Sequence, residues 1–229
     1  MRTVYFRSLS LAAVAVLTLT GGVAAQDTPS GLLNNLEVRQ LVARGEPGDQ
    51  AQLSAHFSAL ADRYAAEAKR HISMSQNFVG NPSRNLGSGM SAHCKRLADL
   101  NTQSATTARE LATYHAKLAS GTPATPPPGG ARFQAGAGAP EPTAQELNAL
   151  AAKARTPAEH RGLEEYFLTL AKRYTAEADE HVALAQTYRG TRIAQAAVHH
   201  DRLATLAKDA AKEATEGAAM HKQLADVAR

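Results

Sequence analysis

The chain contains no tryptophan and only a small share of aromatic residues. Surfaces that stack on sugars or nucleic-acid bases are built mainly from aromatic side chains, so the composition argues against such ligands. Basic and acidic residues alternate instead of forming a patch, which argues against a nucleic-acid partner. The sequence also lacks a phosphate-binding glycine loop and a recognisable nucleophile–base pair. We therefore expect a protein that is not an enzyme.

Cysteine is almost absent as well, since Cys94 is the only one in the chain. A single cysteine cannot form a disulfide within its own chain. Four roles remain open for it: a small buried residue, a reactive thiol, a link between the two chains of a homodimer, or a metal ligand.

The only long apolar run lies at the amino terminus, over residues 9–20, after Arg2 and Arg7. The run is shorter than a membrane span, and Val23-Ala24-Ala25 offers the small residues of a cleavage site. The sequence therefore predicts a signal peptide at 1–25 and an exported protein without a stable membrane span, either periplasmic or secreted. The alanine-rich composition favours a bacterial source, where an envelope protein is a further candidate partner. Cleavage removes two arginines from a formal charge of +4 and leaves the mature chain near neutrality.

The remaining sequence is an internal duplication. Residues 53–80 and 163–190 match at a constant offset, and a second matching segment follows in each copy after a loop that is shorter in the second copy. The coinciding pairs in these two segments are Leu53/Leu163, Phe57/Phe167, Leu60/Leu170, Tyr64/Tyr174, Glu67/Glu177, His71/His181, His93/His199, Arg96/Arg202, Leu97/Leu203, Ala108/Ala214 and His115/His221.

Each copy is predicted to fold as a short leading helix followed by a long helical hairpin. Apolar residues recur every three or four positions along all four long segments, and no alternating strand pattern is present. The sequence therefore predicts an all-α fold, an antiparallel four-helix bundle of repeat 1 (26–119) and repeat 2 (144–229). Residues 120–143 between them are rich in proline and glycine and are predicted to be a linker. The Thr156-Pro157 pair, with Glu159, is typical of a capped helix start.

Polar residues interrupt the apolar seam at equivalent places in the two copies. Glu67 and His71 take positions where the heptad spacing calls for apolar residues, as do their counterparts Glu177 and His181. A buried carboxylate is costly unless it is paired. Because each hairpin folds back at its loop, residues 93–94 are expected level with Glu67 and His71. In the second hairpin, residues 199–200 are expected level with Glu177 and His181. The predicted ligand layers are Glu67, His71, His93 and Cys94 in the first hairpin, and Glu177, His181, His199 and His200 in the second.

Carboxylate, imidazole and thiolate groups that face the interior of a bundle are typical metal ligands. The sequence thus predicts a transition-metal protein for storage, buffering or delivery, with copper or zinc favoured over iron. If both hairpin loops lie at one end of the bundle, the two layers pool into one site, which is the arrangement we expect. Inverted docking of the hairpins would separate them.

The alternative is a structural or interaction scaffold of the cell envelope. In that interpretation the buried Glu and His residues form hydrogen-bonded pairs that only determine helix register. His115 and His221, near the ends of their helices, are expected to be exposed.

Overall fold

The computed structural model describes residues 32–79, 84–120 and 143–227. Within these ranges the chain forms helices and no strand, which confirms the all-α class. The six helices are α1 (Asn35–Arg44), α2 (Pro47–Val79), α3 (Arg84–Ala119), α4 (Ala144–Lys153), α5 (Pro157–Arg189) and α6 (Ala196–Val227). The predicted signal peptide and residues 121–142 of the predicted linker lie outside the described residues. None of the described helices is both long and apolar enough to cross a membrane.

Side-chain caps explain where α4 and α5 begin. Thr156 accepts a hydrogen bond from the Glu159 amide at 3.3 Å, and the Glu159 carboxylate accepts from the Thr156 amide at 2.9 Å. These two bonds satisfy amides that the first turn of α5 leaves unpaired, as the sequence predicts. Thr143 caps α4 in the same way through Glu146.

Helix α3 begins earlier than its sequence indicates. It starts at Arg84, whereas the glycines at 87 and 89 predict a start near 89. Each glycine costs about 1 kcal/mol in a helix interior relative to alanine, and tertiary contacts readily outweigh that cost. Gly89 is one such position, because a side chain there would meet the Met220 Cε atom of α6 at 2.9 Å. Gly89 therefore lies at the contact between α3 and α6, next to the flexible end of the Met220 side chain.

Each long hairpin is antiparallel and held in register by polar contacts. In the first, Ser75 of α2 and Ser91 of α3 share a hydrogen bond of 2.9 Å between their hydroxyls. In the second, His181 of α5 faces His200 of α6. The leading helices α1 and α4 both pack against α2 and α5.

The two hairpins dock in the inverted orientation. Arg63 of α2 contacts Glu177 of α5, and Glu67, one turn later in α2, contacts Arg173, one turn earlier in α5. Helices α2 and α5 are therefore antiparallel, which places the two hairpin loops at opposite ends of the bundle. The expected pooling of both Glu–His layers into one site is wrong. The two contacts place His71 level with residue 169 of α5, twelve positions before His181, so at about 1.5 Å per residue the two histidines lie about 18 Å apart along the bundle axis.

The hairpins share their core instead of folding around separate ones. The bundle has two hydrophobic clusters, one toward each end, and both combine side chains from the two hairpins. Phe57 and Tyr188 belong to the first cluster, and Phe78 and Phe167 belong to the second. Bringing the hairpins together thus buries the apolar surface of both at once.

Candidate metal centre and the buried histidine layers

Two arginine–glutamate pairs connect the hairpins at the centre of the α2–α5 contact. Arg63 donates a hydrogen bond to Glu177 at 2.8 Å, and Arg173 donates one to Glu67 at 2.9 Å. The two contacts are equivalent under the internal repeat, because each joins an arginine to the glutamate of the other copy. Each guanidinium also lies over the ring of the neighbouring tyrosine, Tyr64 or Tyr174.

These contacts change the interpretation of the two predicted acidic ligands. Burial of Glu67 opposes its ionisation, but Arg173 and Arg70 outweigh that effect and lower the pKa of the carboxyl group. Glu67 is thus held as a carboxylate by arginine and needs no metal to compensate it. Glu177 has the same kind of partner in Arg63. The internal repeat already contained this signal, since Arg63 and Arg173 coincide at the offset that aligns the glutamates.

His181 and His200 form a buried pair in the second hairpin. Their Nδ1 atoms lie 3.2 Å apart, and the Nε2 atom of His181 lies 3.2 Å from the Tyr64 hydroxyl of the other hairpin. That hydroxyl is also 3.3 Å from Glu177. A carboxylate can only accept, so Tyr64 donates to Glu177 and accepts from His181 Nε2. The lone pair of His181 Nδ1 therefore points at His200.

Both imidazoles of this layer are neutral. Burial lowers the pKa of His181 to about 3, with Arg63 and His56 acting in the same direction. Burial, followed by His181, likewise lowers the pKa of His200 well below its usual value. A small cavity of about 50 Å³ adjoins the layer, with His56, Tyr64 and His181 in its lining. Its volume is enough for a few water molecules.

The equivalent positions in the first hairpin hold His71 and Cys94, and both are fully buried. Neither ring nitrogen of His71 has a hydrogen-bond partner in the described structure. Burial lowers the pKa of His71 to about 4 and raises the pKa of the Cys94 thiol to about 12. Such burial does not fit a reactive thiol or a disulfide link between folded chains.

His93 points away from this interior layer, toward the contact between α3 and α6. Its Nδ1 atom contacts the Glu213 carboxylate, and Arg96 Nη2 lies 2.9 Å from the same nitrogen. Together His93, Glu213 and Glu216 form the one group of three potential ligand side chains found in the described part of the chain. Their ligand atoms all lie within 4.8 Å of one another. Sequence reasoning identified the histidine but missed both carboxylates, which lie on α6 of the other hairpin.

The site lies beside an open groove of about 420 Å³ between α3 and α6, whose lining includes Arg96, Asp209 and both carboxylates. An ion could therefore reach it from solvent. The equivalent site in the second hairpin is incomplete. His199 lies 3.5 Å from Glu110, but the position matching Glu213 is Thr107, which is fully buried. His199 is therefore a poorer candidate ligand than the sequence predicts.

His115 and His221 are fully buried, contrary to the expectation that they are exposed. The Nδ1 atom of His115 lies 2.7 Å from Gln50 Oε1, and its Nε2 lies 3.0 Å from the Tyr188 hydroxyl. His221 pairs with His160 through Nδ1 atoms 3.3 Å apart. Helix dipoles do favour histidine at these helix ends, but rings from both hairpins cover them, Phe57 and Tyr188 at His115 and Phe167 and Phe78 at His221.

Comparison of the chain with protein-family models, curated proteins and solved structures finds no match. A function for this chain is therefore inferred from the chemistry of its own side chains.

Proposed function

We propose that this protein binds a divalent transition-metal ion through His93, Glu213 and Glu216. The observation that carries the proposal is the convergence of one imidazole and two carboxylates within 4.8 Å, on two helices from different hairpins. Together with the predicted signal peptide, it supports a role in storing, buffering or delivering metal outside the cytoplasm. Binding, with no catalytic step, is the function proposed.

The ligand types narrow the choice of ion. An imidazole with two carboxylates suits zinc or copper(II), whereas the soft donors that select copper(I) are missing from this group. The thiol of the next residue, Cys94, faces the core and does not contribute. Since the position in the second site that matches Glu213 is Thr107, which has no carboxylate, we expect one ion of this kind per chain.

A zinc titration with a competing chromophoric chelator tests the proposal. We expect wild-type protein to bind one zinc ion, and His93→Ala to bind it at least about tenfold more weakly. The double variant Glu213→Gln/Glu216→Gln should lose binding in the same way. The matched control is His199→Ala, which removes the equivalent histidine of the second hairpin and should leave affinity unchanged. Equal zinc binding by wild type and His93→Ala, with both proteins helical by circular dichroism, would refute the proposal.

The competing proposal is a scaffold of the envelope without a metal. It is favoured by Arg96, whose guanidinium lies 2.5 Å from Glu213 and already supplies a positive charge to the cluster. In this case His93, Arg96 and Glu213 only hold α3 against α6. Zinc would then bind weakly or not at all, and the His93 and His199 variants would behave alike.

A further inference from the structure

His71 is the buried side chain that the fold leaves least satisfied. It is fully buried, and both of its ring nitrogens lack partners in the described structure. In the other hairpin, the equivalent residue is His181, and its Nε2 atom has the Tyr64 hydroxyl as a hydrogen-bond partner. The corresponding hydroxyl, that of Tyr174, instead accepts a hydrogen bond of 2.7 Å from Asn101. Leaving a buried polar group unpaired destabilises the fold, so a ligand for His71 would remove a real penalty.

The Cys94 thiol is placed to share such a ligand with His71. The Ser75–Ser91 hydrogen bond determines the register of α2 and α3. His71 lies four residues before Ser75, and Cys94 lies three residues after Ser91, so the two side chains are level across the hairpin. Both face the interior.

The internal repeat supports this placement independently. The positions equivalent to His71 and Cys94 are those of His181 and His200, whose Nδ1 atoms lie 3.2 Å apart. That separation is close to the spacing of two donor atoms on one metal ion, given metal–nitrogen bonds of about 2 Å. The repeat thus places an imidazole and a thiol where the other hairpin places two imidazoles with their Nδ1 atoms toward each other.

Two thioethers lie in the same buried cluster. Met74 and Met90 are both fully buried, and both belong to the hydrophobic cluster that contains Cys94. Thiolate, thioether and imidazole are the donors that favour copper(I). Arg173 and Arg70 neutralise the charge of Glu67 through its Oε1 atom, whereas its buried Oε2 atom has no hydrogen-bond partner.

We propose that His71 and Cys94 bind a copper(I) ion in the core of the first hairpin, with Met74 and Met90 as additional soft donors. Binding replaces the thiol proton, which leaves to solvent, so Cu⁺ and thiolate form a neutral unit. A doubly charged ion would leave a net positive charge in an apolar interior, where it is costly. The site uses none of the side chains of the divalent site and stands independently of it.

An anaerobic titration of reduced protein with copper(I), against the chelator bicinchoninate, tests this site. We expect one copper(I) ion per chain and an ultraviolet absorption typical of copper–thiolate bonds. Cys94→Ser should lose that absorption and bind at least about tenfold more weakly. His71→Leu should also bind more weakly, and it serves as the second variant if Cys94→Ser fails to fold.

The control variant is His93→Ala, which should keep copper(I) binding while losing zinc. Cys94→Ser should keep zinc binding while losing copper(I). Failure of one proposed site is therefore distinguishable from failure of the other. Copper(I) bound without thiolate absorption would overturn the proposal. Unchanged copper(I) affinity in folded Cys94→Ser and in His71→Leu would overturn it as well.

Discussion

Arg63 of the first hairpin donates a hydrogen bond of 2.8 Å to Glu177 of the second, and the contact is largely withdrawn from solvent. Under the internal repeat the same contact occurs again between Arg173 and Glu67. These reciprocal pairs explain why a glutamate recurs in the seam of both copies. They join the hairpins in the inverted orientation and take both glutamates out of the predicted metal layers.

Breaking one of these pairs should be costly. We expect Arg63→Met to lower the free energy of unfolding by about 2 kcal/mol, because it removes the cation that is hydrogen-bonded to the buried Glu177 carboxylate and leaves only Arg173, at 3.9 Å. The measurement is urea unfolding followed by circular dichroism near neutral pH. The control is Arg109→Met, since Arg109 and Asp62 form an exposed pair 3.8 Å apart. Its loss should change stability by no more than about 0.5 kcal/mol.

The unpartnered His71 should weaken the metal-free fold. We expect His71→Leu to raise the free energy of unfolding by about 1 kcal/mol near neutral pH, since it removes a buried polar group that has no partner. His115→Leu is the matched variant, because His115 is also fully buried but contacts Gln50 and Tyr188. It should destabilise the protein by a similar amount. Equal destabilisation by both variants would show that His71 has a partner in solution, such as a buried water.

Stability should fall in mild acid because buried histidines resist protonation. Burial is the main cause of their lowered pKa values. The pKa is about 4 for His56, His71 and His115, and about 3 for His181 and His221. Above about pH 6.5 they are neutral whether folded or not, so they contribute no pH dependence. Below it the unfolded chain takes up protons that the folded core does not, so stability decreases as pH falls toward 4.

Each of these histidines should cost roughly 2 kcal/mol of stability by pH 5. The loss is measured by comparing urea midpoints at about pH 7.5 and about pH 5. His71→Leu removes one of the titrating groups and should reduce the loss by the contribution of one histidine, roughly 2 kcal/mol. Similar midpoints for wild-type protein at the two pH values would mean that the histidines are hydrated and not buried.

Arg96 should compete with a metal ion for Glu213. Its side chain is about half exposed, so it can swing away when an ion binds. We expect Arg96→Gln to bind zinc about tenfold more tightly than wild type in the chelator competition, because the competing cation is gone. Arg202→Gln is the matched control, since Arg202 lies 3.9 Å from Glu110 at the equivalent place. If Arg96→Gln binds no zinc and is merely less stable, the cluster is a structural ion pair.

The sequence by itself determined the helices and the repeat. Helix type follows from local rules, since apolar spacing and capping residues act within one or two turns. The cap at Thr156 and the ends of α2 and α5 are correct for this reason. The largest error in the helix bounds is the start of α3, where the helix extends through glycines that the sequence indicates as breakers, because tertiary contacts outweigh their cost.

Only the tertiary structure decided which polar residues meet. The predicted linker, residues 120–143, is long enough to permit either orientation of the second hairpin, so the sequence could not say whether Glu177 faces His71 or Arg63. Inverted docking placed arginine against glutamate, since a buried carboxylate is stabilised most by a fixed cation nearby. The same choice brought Glu213 and Glu216 to His93. Contacts of this kind join residues more than a hundred positions apart, where no local pattern can specify them.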